Sequence, residues 1–209
     1  MAGEDADSLE LFEHGVRGDR QQALYWRGGR RLTARAAPRL LAWRARSNGG
    51  APIVTDPDGQ DWHWTDAGLQ DALTADLGKD VDLVQDPRLM QDLSDSVLVT
   101  FAPTLAGLQE ELATPVDLRR FRTNVHVEID ADAFAELGWE GRTLRIGEAE
   151  LTLLHPCARC AIVTRDPDTQ DARPQLLRHL HSHHDSVFGI NARPLGEATI
   201  RVGDPVEIR

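Results

Sequence analysis

Cysteine is nearly absent from this chain: 209 residues contain two, Cys157 and Cys160. Two cysteines do not make a disulfide scaffold, which points to a reducing cytoplasm. They are also too few for a ferredoxin-like iron–sulfur cluster. Lysine is scarcer still. Lys79 is the only one, and every other basic residue is arginine. It lies in Leu77-Gly78-Lys79-Asp80, a turn after an expected helix, with no phosphate-binding motif around it. A pyridoxal phosphate enzyme needs a Schiff-base lysine in a built site, and a P-loop needs G-x-x-x-x-G-K-[ST], which is absent. No apolar run reaches the ~18 residues of a transmembrane helix, so no membrane association is expected. The start, Met1-Ala2-Gly3-Glu4-Asp5-Ala6-Asp7, is acidic and reads as neither a secretory signal nor a transit peptide. Positive charge is in deficit overall, at a formal −11. Nucleic acid is therefore not an expected partner, because phosphate neutralisation needs a positive face. A local arginine pocket for one small anion remains compatible with that balance.

What is present is enough for a folded core: 41% hydrophobic and 27% charged residues. Short strand signals dominate. Ala23–Trp26 and Arg31–Arg35 flank the hairpin signal Arg27-Gly28-Gly29-Arg30, and Leu40–Trp43 is read as continuing that sheet. The turn signal Ser47-Asn48-Gly49-Gly50 follows. Thr65-Asp66 is expected to cap a helix from Ala67 to Leu77, and Thr104 opens a second helix to Leu112. Ser96–Thr100, Phe121–Ile129 and the hairpin Leu144–Ile146/Ala149–Leu154 read as strands. So does Ala161–Thr164. Pro174 precedes a helix from Gln175 to about His184. Many short strands, few helices and no βαβ alternation predict a mainly β chain with peripheral helices, an α+β arrangement around a barrel.

Chemistry concentrates at Pro156-Cys157-Ala158-Arg159-Cys160. The cysteines could be two small buried hydrophobes. They could be half of a zinc site completed by His179 and His183. They could be a redox dithiol, although no thioredoxin-like context surrounds them. Or one could be a functional thiolate favoured by Arg159 and other arginines, ligating a soft metal.

A set of motifs then carries a resemblance. Phe121-Arg122-Thr123-Asn124, Ile146-Gly147, the C-x-R-C segment, Thr164-Arg165-Asp166-Pro167-Asp168-Thr169, Phe188-Gly189-Ile190-Asn191 and Ile200-Arg201-Val202-Gly203-Asp204-Pro205-Val206 together resemble the MOSC domain, the C-terminal module of molybdenum cofactor sulfurases. Upstream, Gly15–Arg20, Leu32–Arg35 and Pro38–Leu40 resemble the N-terminal β region of its amidoxime-reducing branch. The resemblance implies a MOSC-type β-barrel core over residues 96–209, with residues 1–95 a shortened β-rich region packed on it. It implies a molybdenum–molybdopterin cofactor with Cys160 as the metal ligand and catalytic residue. Cys157 and Arg159 would shape its surroundings. Arg20, Arg122 and Asn124 match positions that hold the pterin and its phosphate, and Arg35 and Thr164 lie in matching motifs. Arginine suits a phosphate through its bidentate fork, and an amide suits a pterin edge. Many relatives also carry a Pro-Val-Lys-Ser segment that contacts the cofactor and is missing from this chain.

The activity so implied is reduction of N-hydroxylated or N-oxygenated small molecules. External electron-transfer proteins of ferredoxin or flavoprotein type would act as partners. The alternative is a carrier module, passing sulfur from a donor through a Cys160 persulfide or carrying cofactor without turnover. A structural zinc protein is the third reading.

Overall fold

The computed structural model describes residues 1–47, 50–85 and 96–209. Strands β1 (Ser8–Phe12) and β2 (Gly15–Val16) pair as a hairpin. β3 (Gln22–Trp26) and β4 (Arg31–Leu32) pair across the turn expected at residues 27–30. There follow β5 (Arg44–Arg46), β6 (Ile53–Thr55), β7 (Asp61–His63), helix α1 (Ala67–Leu77) and β8 (Val81–Gln85). β9 (Val97–Phe101) runs into helix α2 (Ala102–Leu112), then β10 (Val125–Val127), β11 (Thr143–Ile146) and β12 (Ala149–Ala158). Helix α3 (Gln175–His183), β13 (Val187–Pro194), β14 (Ala198–Arg201) and β15 (Val206–Ile208) complete the order.

The described residues group into two compact units. One comprises residues 1–5, 18–93 and 167–170; the other comprises 6–17, 94–166 and 171–209. The first holds two small antiparallel sheets, β4-β3-β8 and β5-β6-β7. Its core joins Trp43, Val54, Leu69, Leu73 and Val81. Leu69 and Leu73 are one helical turn apart, so α1 presents one face to that core. The helix ends at Gly78 with φ 68°, the left-handed stop that glycine makes without steric cost. Asp66 stands at the N-cap as the sequence suggests, but its carboxylate accepts from the His63 amide at 2.7 Å instead of from the helix.

The second unit is built on a six-stranded sheet ordered β10-β9-β13-β12-β11-β15, curled into a half-barrel. The mainly β architecture with peripheral helices matches the expectation. Every residue of β9 is buried, which is why its sequence is apolar without alternation. Val97, Val99, Leu144, Leu151, Leu153 and Ile190 join one core. A second core, of Leu108, Phe121, Val163, Leu176, Leu180 and Phe188, joins α2 and α3 to the sheet. Gly189 has φ 72°, and a Cβ there would stand 2.6 Å from the Val99 carbonyl oxygen. Only glycine lets β13 approach β9 so closely.

Four expected strands differ. Of Arg31–Arg35, only Arg31–Leu32 is a strand, and a turn follows. Leu40–Trp43 is not a strand; Pro38–Leu41 forms a 3-10 turn, started by proline's fixed φ and closed by burial of Leu40 and Leu41. Ala161–Thr164 is also a 3-10 turn, in which the Thr164 hydroxyl donates to the Ala161 carbonyl at 2.7 Å. Of Phe121–Ile129, only Val125–Val127 is a strand. Phe121 ends a 3-10 turn begun at Leu118, and Arg122 takes a left-handed backbone, φ 55°, that breaks the extension. Asn48 and Gly49 of the expected turn lie outside the described residues.

Candidate functional site

β12 delivers the C-x-R-C segment. Its pairing with β13 slips twice, between Leu153 and Pro156 and again between Pro156 and Ala158. Pro156 has no amide proton to donate, so a regular ladder cannot run through it. Such bulges re-aim side chains next to functional sites. Asn191 supports the distorted stretch, its side-chain amide donating to the His155 carbonyl at 3.3 Å.

Arg159 pins the loop. One guanidinium nitrogen donates to the Cys157 sulfur at 3.0 Å and another to the Phe121 carbonyl at 2.5 Å. The same guanidinium lies 5.5 Å from the centre of the Phe121 ring, and the Arg159 amide donates to the Ser186 carbonyl at 2.7 Å. The arginine therefore serves Cys157, not Cys160. In extended backbone, residues two apart share a side, and 157 and 159 are such a pair. Cys160 opens the following 3-10 turn with its carbonyl accepting from Val163. It is a half-buried free thiol.

The bond from Arg159 to Phe121 draws the Arg122–Asn124 segment to the cysteine loop, and the turns Leu118–Phe121 and Ala161–Thr164 pack together. Asn124 locks the start of β10 to β9. Its amide donates to the Leu98 carbonyl, and its side-chain oxygen accepts from the Leu98 amide, both at 3.0 Å. Its Oδ1 thus has a structural partner. Thr164 is buried, and its hydroxyl bonds Ala161 within the turn. Arg20 and Arg35 belong to the first compact unit. Arg20 has a left-handed backbone, φ 54°, and pairs with Asp19 at 3.3 Å; Arg35 is exposed in a turn.

Two features escaped the sequence reading. Arg120 is buried, its side chain only 8% exposed, and it bonds Asp166 at 2.7 Å and the Thr164 carbonyl at 3.3 Å. It ties the turn before Arg122 to the segment after Cys160. Nothing local separates it from Arg119 and Arg122 in the sequence.

The second feature is a relay. The Thr123 hydroxyl lies 3.1 Å from the Leu98 carbonyl and 2.9 Å from that of Val125, both pure acceptors. Thr123 therefore donates there and accepts from Thr100 at 3.0 Å. Thr100 has then used its one proton, so it accepts from His126 Nδ1 at 2.9 Å. His126 is held with its proton on Nδ1, leaving Nε2 as an acceptor. Partial burial pushes this imidazole below its usual range, opposed by the Glu128 carboxylate.

The zinc reading is corrected. His179 does not complete a site with the cysteines. Among the described residues, the one His/Cys/Asp/Glu group with metal-ligand spacing is Glu111, His179 and His184.

The fold and motif order define the class: the MOSC domain profile matches residues 86–207, more than half of the chain, so the chain belongs to the MOSC domain family. This family is associated with the molybdenum cofactor. Among particular relatives, the chain is 32% identical over 122 residues to mitochondrial amidoxime-reducing component 1 of Homo sapiens, covering 52% of this chain and 35% of that protein. It is 31% identical over 123 residues to the human component 2, covering 53% and 36%. The chain thus spans about a third of the length of these curated relatives. The crystal structure of the YuaD protein from Bacillus subtilis shares the fold, with a TM-score of 0.51 at 13% identity over 98% of this chain and 86% of that one. No helix among the described residues is long and apolar enough to cross a membrane.

Proposed function

We propose that the chain binds a molybdenum–pterin cofactor through the Cys160 thiolate and reduces N-hydroxylated or N-oxygenated compounds. The observation that carries this reading is the asymmetry of the cysteine pair: both are half-buried and outside any disulfide, but Arg159 engages the Cys157 sulfur and leaves that of Cys160 unengaged among the described residues. The donor set fits the group, with a thiol for a soft metal and arginine for a phosphate. Cys160 would hold the metal, and Arg122 the phosphate. Asn124, whose Oδ1 accepts from the Leu98 amide, would stand at the pterin edge. Arg159 would fix the loop without touching the cofactor phosphate, and Thr164 would shape the turn after Cys160 instead of binding directly. Arg20 and Arg35 are proposed as further phosphate contacts.

When bound, the molybdenum centre would supply two-electron oxygen-atom exchange, with electrons from ferredoxin- or flavoprotein-type partners. A reducing, cytoplasmic setting is part of the proposal, because oxidation of Cys160 would remove the ligand. Metal and pterin analysis of the full chain after cofactor loading tests it. One molybdenum per chain, lost in Cys160→Ala, is the expected result; a wild-type chain that retains no molybdenum overturns it.

The same free thiol supports a second reading as a sulfur carrier. The Cys160 thiolate would attack the sulfane sulfur of a donor persulfide, releasing the donor thiol and forming a Cys160 persulfide. Cyanide-releasable sulfur in a molybdenum-free chain would favour it, and amidoxime reduction with an artificial electron donor would count against it.

A further inference from the structure

We propose that Glu111, His179 and His184 form a binding site for one divalent transition-metal ion of the zinc type, separate from the cysteine loop. Nε2 of both histidines lies 2.7 Å from the same carboxylate oxygen, Oε2 of Glu111. All three ligand atoms fall within 4.8 Å of one another. Two histidines and one glutamate are a recurrent zinc set that leaves a fourth position for water. Zinc–nitrogen and zinc–oxygen bonds of about 2.0–2.2 Å in a tetrahedral site would require each nitrogen to move out to about 3.3 Å from the carboxylate oxygen, a shift of roughly 0.6 Å. An imidazole that coordinates through Nε2 carries its remaining proton on Nδ1.

The surroundings favour a cation. Glu111 stands in the last turn of α2, His179 in the middle of α3 and His184 at the C-cap of α3. Two helix C-termini therefore bring partial negative charge to one place. The imidazoles are already ordered. Their side chains are 16% and 12% exposed, against 37% for Glu111. His184 stacks on Phe134 at 3.7 Å between ring centres, and His179 stacks on His183 at 4.3 Å. His183 itself donates from Nδ1 to the His179 carbonyl at 3.1 Å, which holds the end of α3 in place. Ligands fixed in this way lose little entropy on coordination. The carboxylate also gives the site the net negative charge that a divalent ion needs.

The test is titration of metal-free full-length chain with Co²⁺, followed by displacement with Zn²⁺. One Co²⁺ per chain is expected, with visible ligand-field bands of a nitrogen–oxygen set and no thiolate charge-transfer band. Losing a direct ligand should cost at least the ~10–100-fold known for indirect supports, so Glu111→Gln and His184→Gln should each weaken binding by about 100-fold or more. The double variant Cys157→Ser/Cys160→Ser should bind as wild type. Circular dichroism checks folding. If His184→Gln unfolds with the loss of its Phe134 contact, Glu111→Gln and the wild-type spectrum decide. No saturable binding, a thiolate band, or affinity unchanged in Glu111→Gln would overturn the proposal.

Discussion

The cysteine loop and the Glu111–His179–His184 cluster are assembled in opposite ways. In the loop, both sulfur atoms come from one run of five consecutive residues, and distant parts of the chain hold that run in place. Arg159 reaches back to Phe121, and Ser186 accepts from the Arg159 amide. In the cluster, the ligands themselves come from two helices, with Glu111 68 residues from His179 and 73 from His184. The loop offers soft sulfur beside a guanidinium; the cluster offers imidazole and carboxylate. The difference teaches that the two proposed sites would not compete for ions, because ligand softness sorts them.

The largest expected effect lies within the loop. Cys160→Ala should abolish molybdenum retention, whereas Cys157→Ser should keep most of it. Equal loss in both variants, read by elemental analysis, would break the asymmetry on which the comparison rests. Next comes Arg159→Ala, which removes charge-assisted bonds to Cys157 and Phe121 and should cost about 1.5–3 kcal/mol in urea unfolding. Arg159→Lys should recover only part of that, since an ammonium lacks the fork.

For the cluster, acid is the lever. Burial raises the Glu111 carboxyl, but the His179 and His184 hydrogen bonds outweigh it and hold the group below its ordinary value of 4.5. A depressed folded-state value contributes stability that is fully present above 4.5 and is lost as pH falls through the lower folded-state value. Glu111→Gln should therefore lower the melting temperature of the metal-free chain near neutral pH. The gap to wild type should close on the acid side of 4.5. A gap that widens in acid would remove the hydrogen-bond account of the cluster.

The smallest effect on stability concerns Arg122. Its left-handed backbone costs an L-residue about 1–2 kcal/mol, and glycine's extra chain entropy offsets much of the relief. Arg122→Gly should change unfolding stability by less than about 1 kcal/mol while reducing cofactor retention. A large loss of stability would instead mark Arg122 as a structural residue.

Local signals were legible wherever the physics is local. The Ala67–Leu77 helix and the hairpin around Gly147 follow from periodicity, an aspartate at the N-cap position and turn glycines. Ala161–Thr164 was not legible, because four mostly apolar residues carry no period and a side-chain bond to Ala161 decided the turn. Arg120 was not legible either, since three neighbouring arginines look alike until one is buried against Asp166.

The order of motifs from Phe121 to Val206 was enough to assign the family, its β-rich architecture and the loop that carries both cysteines. Those are properties of short segments, and short segments carry their chemistry with them. Which cysteine the arginine would serve, which histidines would meet and which carboxylate would join them depended on how α2, α3 and the bulged β12 pack. Hydrogen bonds and ligand sets act over about three ångströms, and only the folded backbone brings residues some seventy positions apart within that reach.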